Sequence, residues 1–167
     1  MKHFFLLFIS ALPLFASAQL NVLCKDTNRV NPYYRCDDPS FDPTCGCDNV
    51  TYRNGCEMTN IGGVNYPSEI ENGVCRTDVF FFVITPVPAY EKIDFNMRFA
   101  ENQATPVTVQ IYNSFGNLVL SRSFKNITSS PSPPITLYLS DLQTGVYTFV
   151  VRAGGIYQRK KFIKHTN

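Results

Sequence analysis

The 167-residue sequence predicts two unlike modules in one chain, a small disulfide-dependent α+β unit followed by an all-β sandwich. Three observations predict this. All six cysteines lie between Cys24 and Cys75. Beyond Cys75 there is no cysteine, and short segments of alternating apolar residues recur to the end of the sequence. Charge divides at the same place: residues 19–75 hold four Lys or Arg against eight acids, a net of −4, and residues 76–167 hold ten against five, a net of +5. Opposite balances on either side of Cys75 mark a domain boundary.

The chain opens on Lys2-His3, continues through an apolar run from Phe4 to Phe15, and reaches the small residues Ala16-Ser17-Ala18. That order is a secretory signal peptide, residues 1–18, cut after Ala18. Pro13 interrupts a run already too short for the roughly 30 Å hydrocarbon core, so no transmembrane segment is expected. Export places the cysteines in an oxidising compartment, where disulfides form and persist. A segment as small as 19–75 buries too little apolar surface to stand on its core alone, so disulfides are the expected remedy. Six cysteines permit several connectivities, and spacing alone selects none. A zinc site is the competing use, but the mature chain offers only His165 to complete a Cys-His set, and no metal or cofactor is expected.

From Gln19 to Cys75 the sequence is rich in Asp, Asn, Pro and Gly, which reads as loops around a small scaffold. Val50-Thr51-Tyr52 suits a short strand, and Glu57-Met58-Thr59-Asn60-Ile61 a helical turn or two stopped by Gly62-Gly63. After Cys75, seven candidate strands fall near 79–84, 91–99, 106–113, 117–124, 135–140, 146–153 and 156–163, with residues 76–83 as a linker or first strand. Ser114 with Gly116-Asn117, Thr144-Gly145 and Gly154-Gly155 supply turns, the last a tight hairpin because Gly accepts positive φ. About seven short strands at this spacing predict an immunoglobulin-like sandwich over 84–167. Ser129-Ser130-Pro131-Ser132-Pro133-Pro134 reads as a surface loop between two of them.

The run Cys45-Gly46-Cys47-Asp48-Asn49-Val50-Thr51-Tyr52-Arg53-Asn54-Gly55-Cys56 resembles the central segment of a Kazal-type serine protease inhibitor domain. Asp42-Pro43-Thr44 before it and Gly73-Val74-Cys75 after it extend the resemblance across 19–75. It implies a secreted inhibitor whose reactive loop is Asp37, Asp38, Pro39, Ser40 and Phe41, and whose partner is a serine protease. It also implies the bridges Cys36–Cys56 and Cys45–Cys75. The family's fifth cysteine, a few residues after Cys56, is absent, and Cys47 is the extra one, so the expected third bridge joins Cys24 to Cys47. Asn54 falls at the family's buttress position, where a side-chain amide braces the loop carbonyls on both sides of the scissile bond. A turn-forming Asn before Gly55 is the plainer reading of the same residue.

The loop departs from the family by holding eight residues between Cys36 and Cys45, one more than usual. The primary specificity position falls on Asp38 when counted from Cys36 and on Pro39 when counted from Cys45. Asp38 there would suit a protease that accepts an acidic residue and would be repelled by the acidic pocket of a trypsin-like enzyme. The alternative is a non-inhibitory binding or spacer module at the surface. An enzyme is not expected, because one terminal histidine assembles no Ser-His-Asp or Cys-His pair. No basic stripe interleaved with aromatics points to nucleic acid.

The cysteine-free part resembles the C-terminal sorting domain of proteins exported by the type IX secretion system of Gram-negative bacteria. The match is carried by Ile84-Thr85-Pro86-Val87-Pro88-Ala89, by Val109 to Val119, and by Leu142-Gln143-Thr144-Gly145-Val146-Tyr147 with the closing Lys160-Lys161-Phe162-Ile163-Lys164. Val87 stands where the family usually has Asn. The resemblance implies export through the periplasm to the outer-membrane surface or the medium, the secretion machinery as partner, and removal of the domain in passage. In a bacterial host the sequons Asn49-Val50-Thr51 and Asn126-Ile127-Thr128 are chance matches.

Overall fold

The computed structural model describes residues 24–65, 71–101, 105–127 and 134–166. The expected signal peptide at residues 1–18, the Ser/Pro patch up to Pro133, and Thr128 of the second sequon lie outside the described residues.

In the cysteine-rich part, regular structure is scarce because turn-forming residues dominate. A 3₁₀ turn at Thr27–Arg29 is capped by Asp26, whose side chain accepts from Asn28 N at 3.0 Å. Strand β1 (Thr44–Cys45) lies between β2 (Thr51–Tyr52) and β3 (Glu71–Asn72), antiparallel to both. Glu57–Ile61 forms a widened helical turn, closed where Gly62 N donates to Glu57 O at 2.9 Å. The ring of Tyr52 requires Gly62: a Cβ there would lie 2.5 Å from the ring and 2.7 Å from the Met58 carbonyl. Tyr52 in turn donates its hydroxyl to Asp48 Oδ2 at 2.7 Å, and its pKa is pushed up by burial, the hydrogen bond and the Asp48 charge. Among the described residues of this part, Met58, Val64 and Val74 are the buried aliphatic side chains. So small a core needs staples, and the structure has three: Cys24–Cys47, Cys36–Cys56 and Cys45–Cys75.

The remainder forms two antiparallel sheets across one core. Strands β4 (Phe80–Thr85), β5 (Lys92–Phe99) and β8 (Ile135–Tyr138) form one sheet in the order β4-β5-β8. Strands β6 (Thr105–Tyr112), β7 (Leu118–Ile127), β9 (Gly145–Ala153) and β10 (Ile156–Lys164) form the other in the order β10-β9-β6-β7. Alternation decides which face is buried: along β5, Ile93, Phe95, Met97 and Phe99 point inward while the residues between them stay wetter. Phe149 of β9 meets Phe82 and Phe95 of the facing sheet, with ring centroids 5.9 and 5.7 Å apart. The β9–β10 hairpin turns on Gly154 and Gly155 at φ +55 and +77, a pair of left-handed positions that a two-residue turn demands.

Strand β7 continues beyond the expected end near residue 124. A register shift between Thr105 and Val107 lets Ile127 pair with Thr105 and stay buried, so the apolar contact extends the strand. The opening segment is tied to the closing strand: Ala89 N donates to Ile163 O at 2.8 Å and His165 N to Ala89 O at 2.9 Å. Gln158 Nε2 on β10 donates to Phe80 O on β4 at 2.7 Å, which joins the neighbouring edges of the two sheets.

Candidate functional site

The segment between Cys36 and Cys45 is held at both ends, to Cys56 by one disulfide and to Cys75 by another. From Asp37 to Pro43 the chain has no regular structure, so its shape depends on side chains reaching in from elsewhere. Asp42 N donates to Arg53 O at 3.1 Å, and Pro43 O accepts from Gly73 N at 2.8 Å, which lays the descending limb against the small sheet.

Asn54, 3% exposed, lies beneath the loop. Its Oδ1 accepts from Glu57 N at 3.0 Å, and this orients Nδ2 towards the loop. Nδ2 then donates to Asp38 O at 3.2 Å and to Ser40 O at 3.1 Å. The two carbonyls flank Pro39, so the amide spans one residue of the loop. Above them, Asp38 accepts from Ser40 N at 2.8 Å and Ser40 Oγ at 2.9 Å. Those two bonds, first the backbone one, hold the exposed Asp38 carboxyl below the usual carboxylate range.

Arg53 adds a contact that no spacing in the sequence announces. Its guanidinium donates from Nε to Ser40 O at 3.2 Å and from a terminal nitrogen to Pro39 O. Pro39 has no N–H to donate, and here its carbonyl is engaged by a cation. The loop is therefore braced from below by an amide and from the side by a guanidinium.

Asp37, Asp38, Pro39 and Ser40 are exposed, and Phe41 is half-buried because it turns towards the sandwich. The Phe41 ring stacks on Phe81 of β4, with centroids 6.3 Å apart and planes within 5° of parallel. Beside it, Asp42 Oδ1 meets Arg98 of β5 at 3.3 Å. Lys160 of β10 holds Nζ 5.0 and 5.1 Å from the ring centroids of Phe81 and Phe82. Among the described residues, no cluster of His, Cys, Asp or Glu could hold a metal ion, and all six cysteines are in disulfides. No helix among them is long and apolar enough to cross a membrane.

No curated protein matches the chain. Among solved structures, the crystal structure of dimeric latent PorU from Porphyromonas gingivalis is similar at 18% identity and a TM-score of 0.44. The similarity covers 86% of this chain and only 18% of that one, so this chain spans a small part of that protein's length. Residues 83–165 match the family described as "Secretion system C-terminal sorting domain". The matched span runs from within β4 to just past the end of β10, and so takes in both sheets of the sandwich. The match directs the protein to the cell surface or the extracellular space, and residues 83–165 are the type IX secretion sorting domain of this chain.

Proposed function

We propose that the disulfide module is a Kazal-like serine protease inhibitor, carried out of the cell by the sorting sandwich. The observation that supports it is the Asn54 amide, which donates to the carbonyls of Asp38 and Ser40 from a nearly buried position. An inhibitor of this kind binds as a substrate does, but with a loop so restrained that little entropy is lost on docking and the cleaved ends stay together. Two disulfides and one amide supply that restraint at both ends and in the middle.

The same amide favours one of the two countings of the loop. A brace on the carbonyls either side of Pro39 makes Pro39 the primary specificity residue and Pro39–Ser40 the peptide presented to the nucleophile. The expected target is then a serine protease whose primary pocket takes a compact apolar ring. Asp38 becomes the residue before it and selects against enzymes with an acidic rim. The test is titration of the oxidised mature protein against proline-accepting, elastase-like, chymotrypsin-like, glutamate-specific and trypsin-like serine proteases. Inhibition of the first or second, weakened about tenfold or more by Asn54→Ala, is expected.

Arg53 supports a second reading. A protease stabilises the tetrahedral intermediate through donors aimed at the carbonyl oxygen of the scissile bond. Arg53 already donates to that oxygen of Pro39, and a loop capped in this way suits a surface binding module that inhibits nothing. Arg53→Ala separates the two: gain of inhibition supports the inhibitor reading. A correctly oxidised Arg53→Ala protein inert to the whole panel supports the binding module.

A further inference from the structure

We propose that the outer face of the three-stranded sheet is a docking surface for the module's own loop, so that the sandwich acts as a latch on Phe41 and Asp42 of that loop while both share one chain. Phe81 and Arg98 are direct cross-strand partners on β4 and β5, and their side chains stand next to each other on the face turned away from the core. Their inward neighbours Phe80, Phe82, Met97 and Phe99 fill that core. The consecutive loop residues Phe41 and Asp42 meet this pair one to one, ring on ring and carboxylate on guanidinium. A stack and an ion pair at adjacent positions fix a register, which a single apolar contact would not.

Three further observations point the same way. Lys160 sits over Phe81 and Phe82 beside the contact; burial lowers its pKa, while the charge of Glu57 in the disulfide module raises it and that of Arg53 lowers it. The connection between the modules is itself tied down: Thr51 Oγ1 donates to Asp78 Oδ2 at 2.6 Å, and Asn49 Nδ2 to Thr77 Oγ1 at 3.1 Å. The module's net charge of −4 faces a C-terminal part of +5, so long-range attraction favours the docked state.

The latch has a functional consequence that rests on the inhibitor reading. A protease seated on Pro39–Ser40 needs surface on both sides of that bond, because a specific interface covers on the order of 800 Å² of each partner. The sandwich occupies the Phe41 side. Binding then draws only on the undocked fraction of molecules, and affinity rises as docking is lost.

The test uses residues 19–167, with the sandwich still attached, carrying Phe81→Ala and Arg98→Glu, both outside the disulfide module and outside the core. Residual dipolar couplings from the two modules should fit a single alignment in the wild type and require two in the variant. Should the variant fold poorly, Asp42→Arg should release the module and Asp42→Arg with Arg98→Asp should restore the single alignment. A wild type that already needs two alignments, or a folded double variant that still needs one, overturns the latch. In parallel, the released variant should bind the susceptible protease about tenfold more tightly than the wild type. Release with unchanged protease affinity overturns the latch as a control on binding. Release with no protease bound by either protein leaves docking intact and counts against the inhibitor reading alone.

Discussion

Asn54 connects three separate stretches of chain through one amide: the start of the helical turn at Glu57, and the loop at Asp38 and at Ser40. Asn54→Ala removes the amide from Asp38 O and from Glu57 N and leaves Ser40 O to Arg53 alone, a loss of about 1–3 kcal/mol for each of these groups that stays shielded from water and unsatisfied. The expected outcome is a lower denaturation midpoint for the module and faster amide exchange around Ser40. Asn54→Asp keeps an acceptor for Glu57 N but turns an oxygen towards two carbonyl oxygens, so it should loosen the loop at least as much. Asp38 gives a pH test at the same scale. Its carboxyl titrates below its unfolded value in the folded state, so its contribution to the turn at Ser40 is fully present above the ordinary carboxylate pKa and is lost as pH falls through the depressed one. An NMR titration of the Asp38 carboxyl should give a midpoint below that of a free aspartate; a midpoint at or above it contradicts the turn. Asn54 is singled out in the sequence only through the Kazal resemblance, and its amide lies against the carbonyls of Asp38 and Ser40. Arg53 is not singled out, since its partners lie 13 and 14 residues back and no local pattern records that reach.

Among the elements, legibility follows periodicity. Strands such as β5 and β9 alternate over eight and nine residues, long enough for a period of two to show which face is buried. Strands β1, β2 and β3 have two residues each, too few to carry a period, and the pairing of β1 with β3 is not legible at all. The two parts also hold together by different means, which predicts separable unfolding. Phe149→Ala removes a fully buried ring that touches the facing sheet and should cost the sandwich about 3–5 kcal/mol. Reduction should instead unfold the disulfide module, where each bridge contributes about 2–5 kcal/mol. Thermal melts followed by NMR signals of each part should show the first change confined to the sandwich and the second to the module. A single shared transition in both experiments would contradict two separate cores.

At the scale of the whole molecule, the division of charge and cysteine at Cys75 is plain in the order of residues alone, whereas the contact across that division is not. Phe41, Phe81 and Arg98 lie in different segments, and only the fold brings them together. The sorting domain makes the address of the protein depend on an intact sandwich. Deleting Val146 to Asn167 removes β10 and nearly all of β9, and with them the inner strand that pairs with β6. In a host with the type IX apparatus, fractionation should then find the precursor in the periplasm. Surface delivery at normal levels would contradict the role of the sandwich as an address. If Asn54 centres a protease-binding loop on Pro39, trypsin reads the frame of that loop, because trypsin requires a basic residue at one position only. The mature protein carrying Pro39→Lys should inhibit trypsin, and the protein carrying Asp38→Lys should not. Inhibition by Asp38→Lys alone would shift the frame by one residue, and inhibition by neither, with all three disulfides formed, would contradict the inhibitor reading.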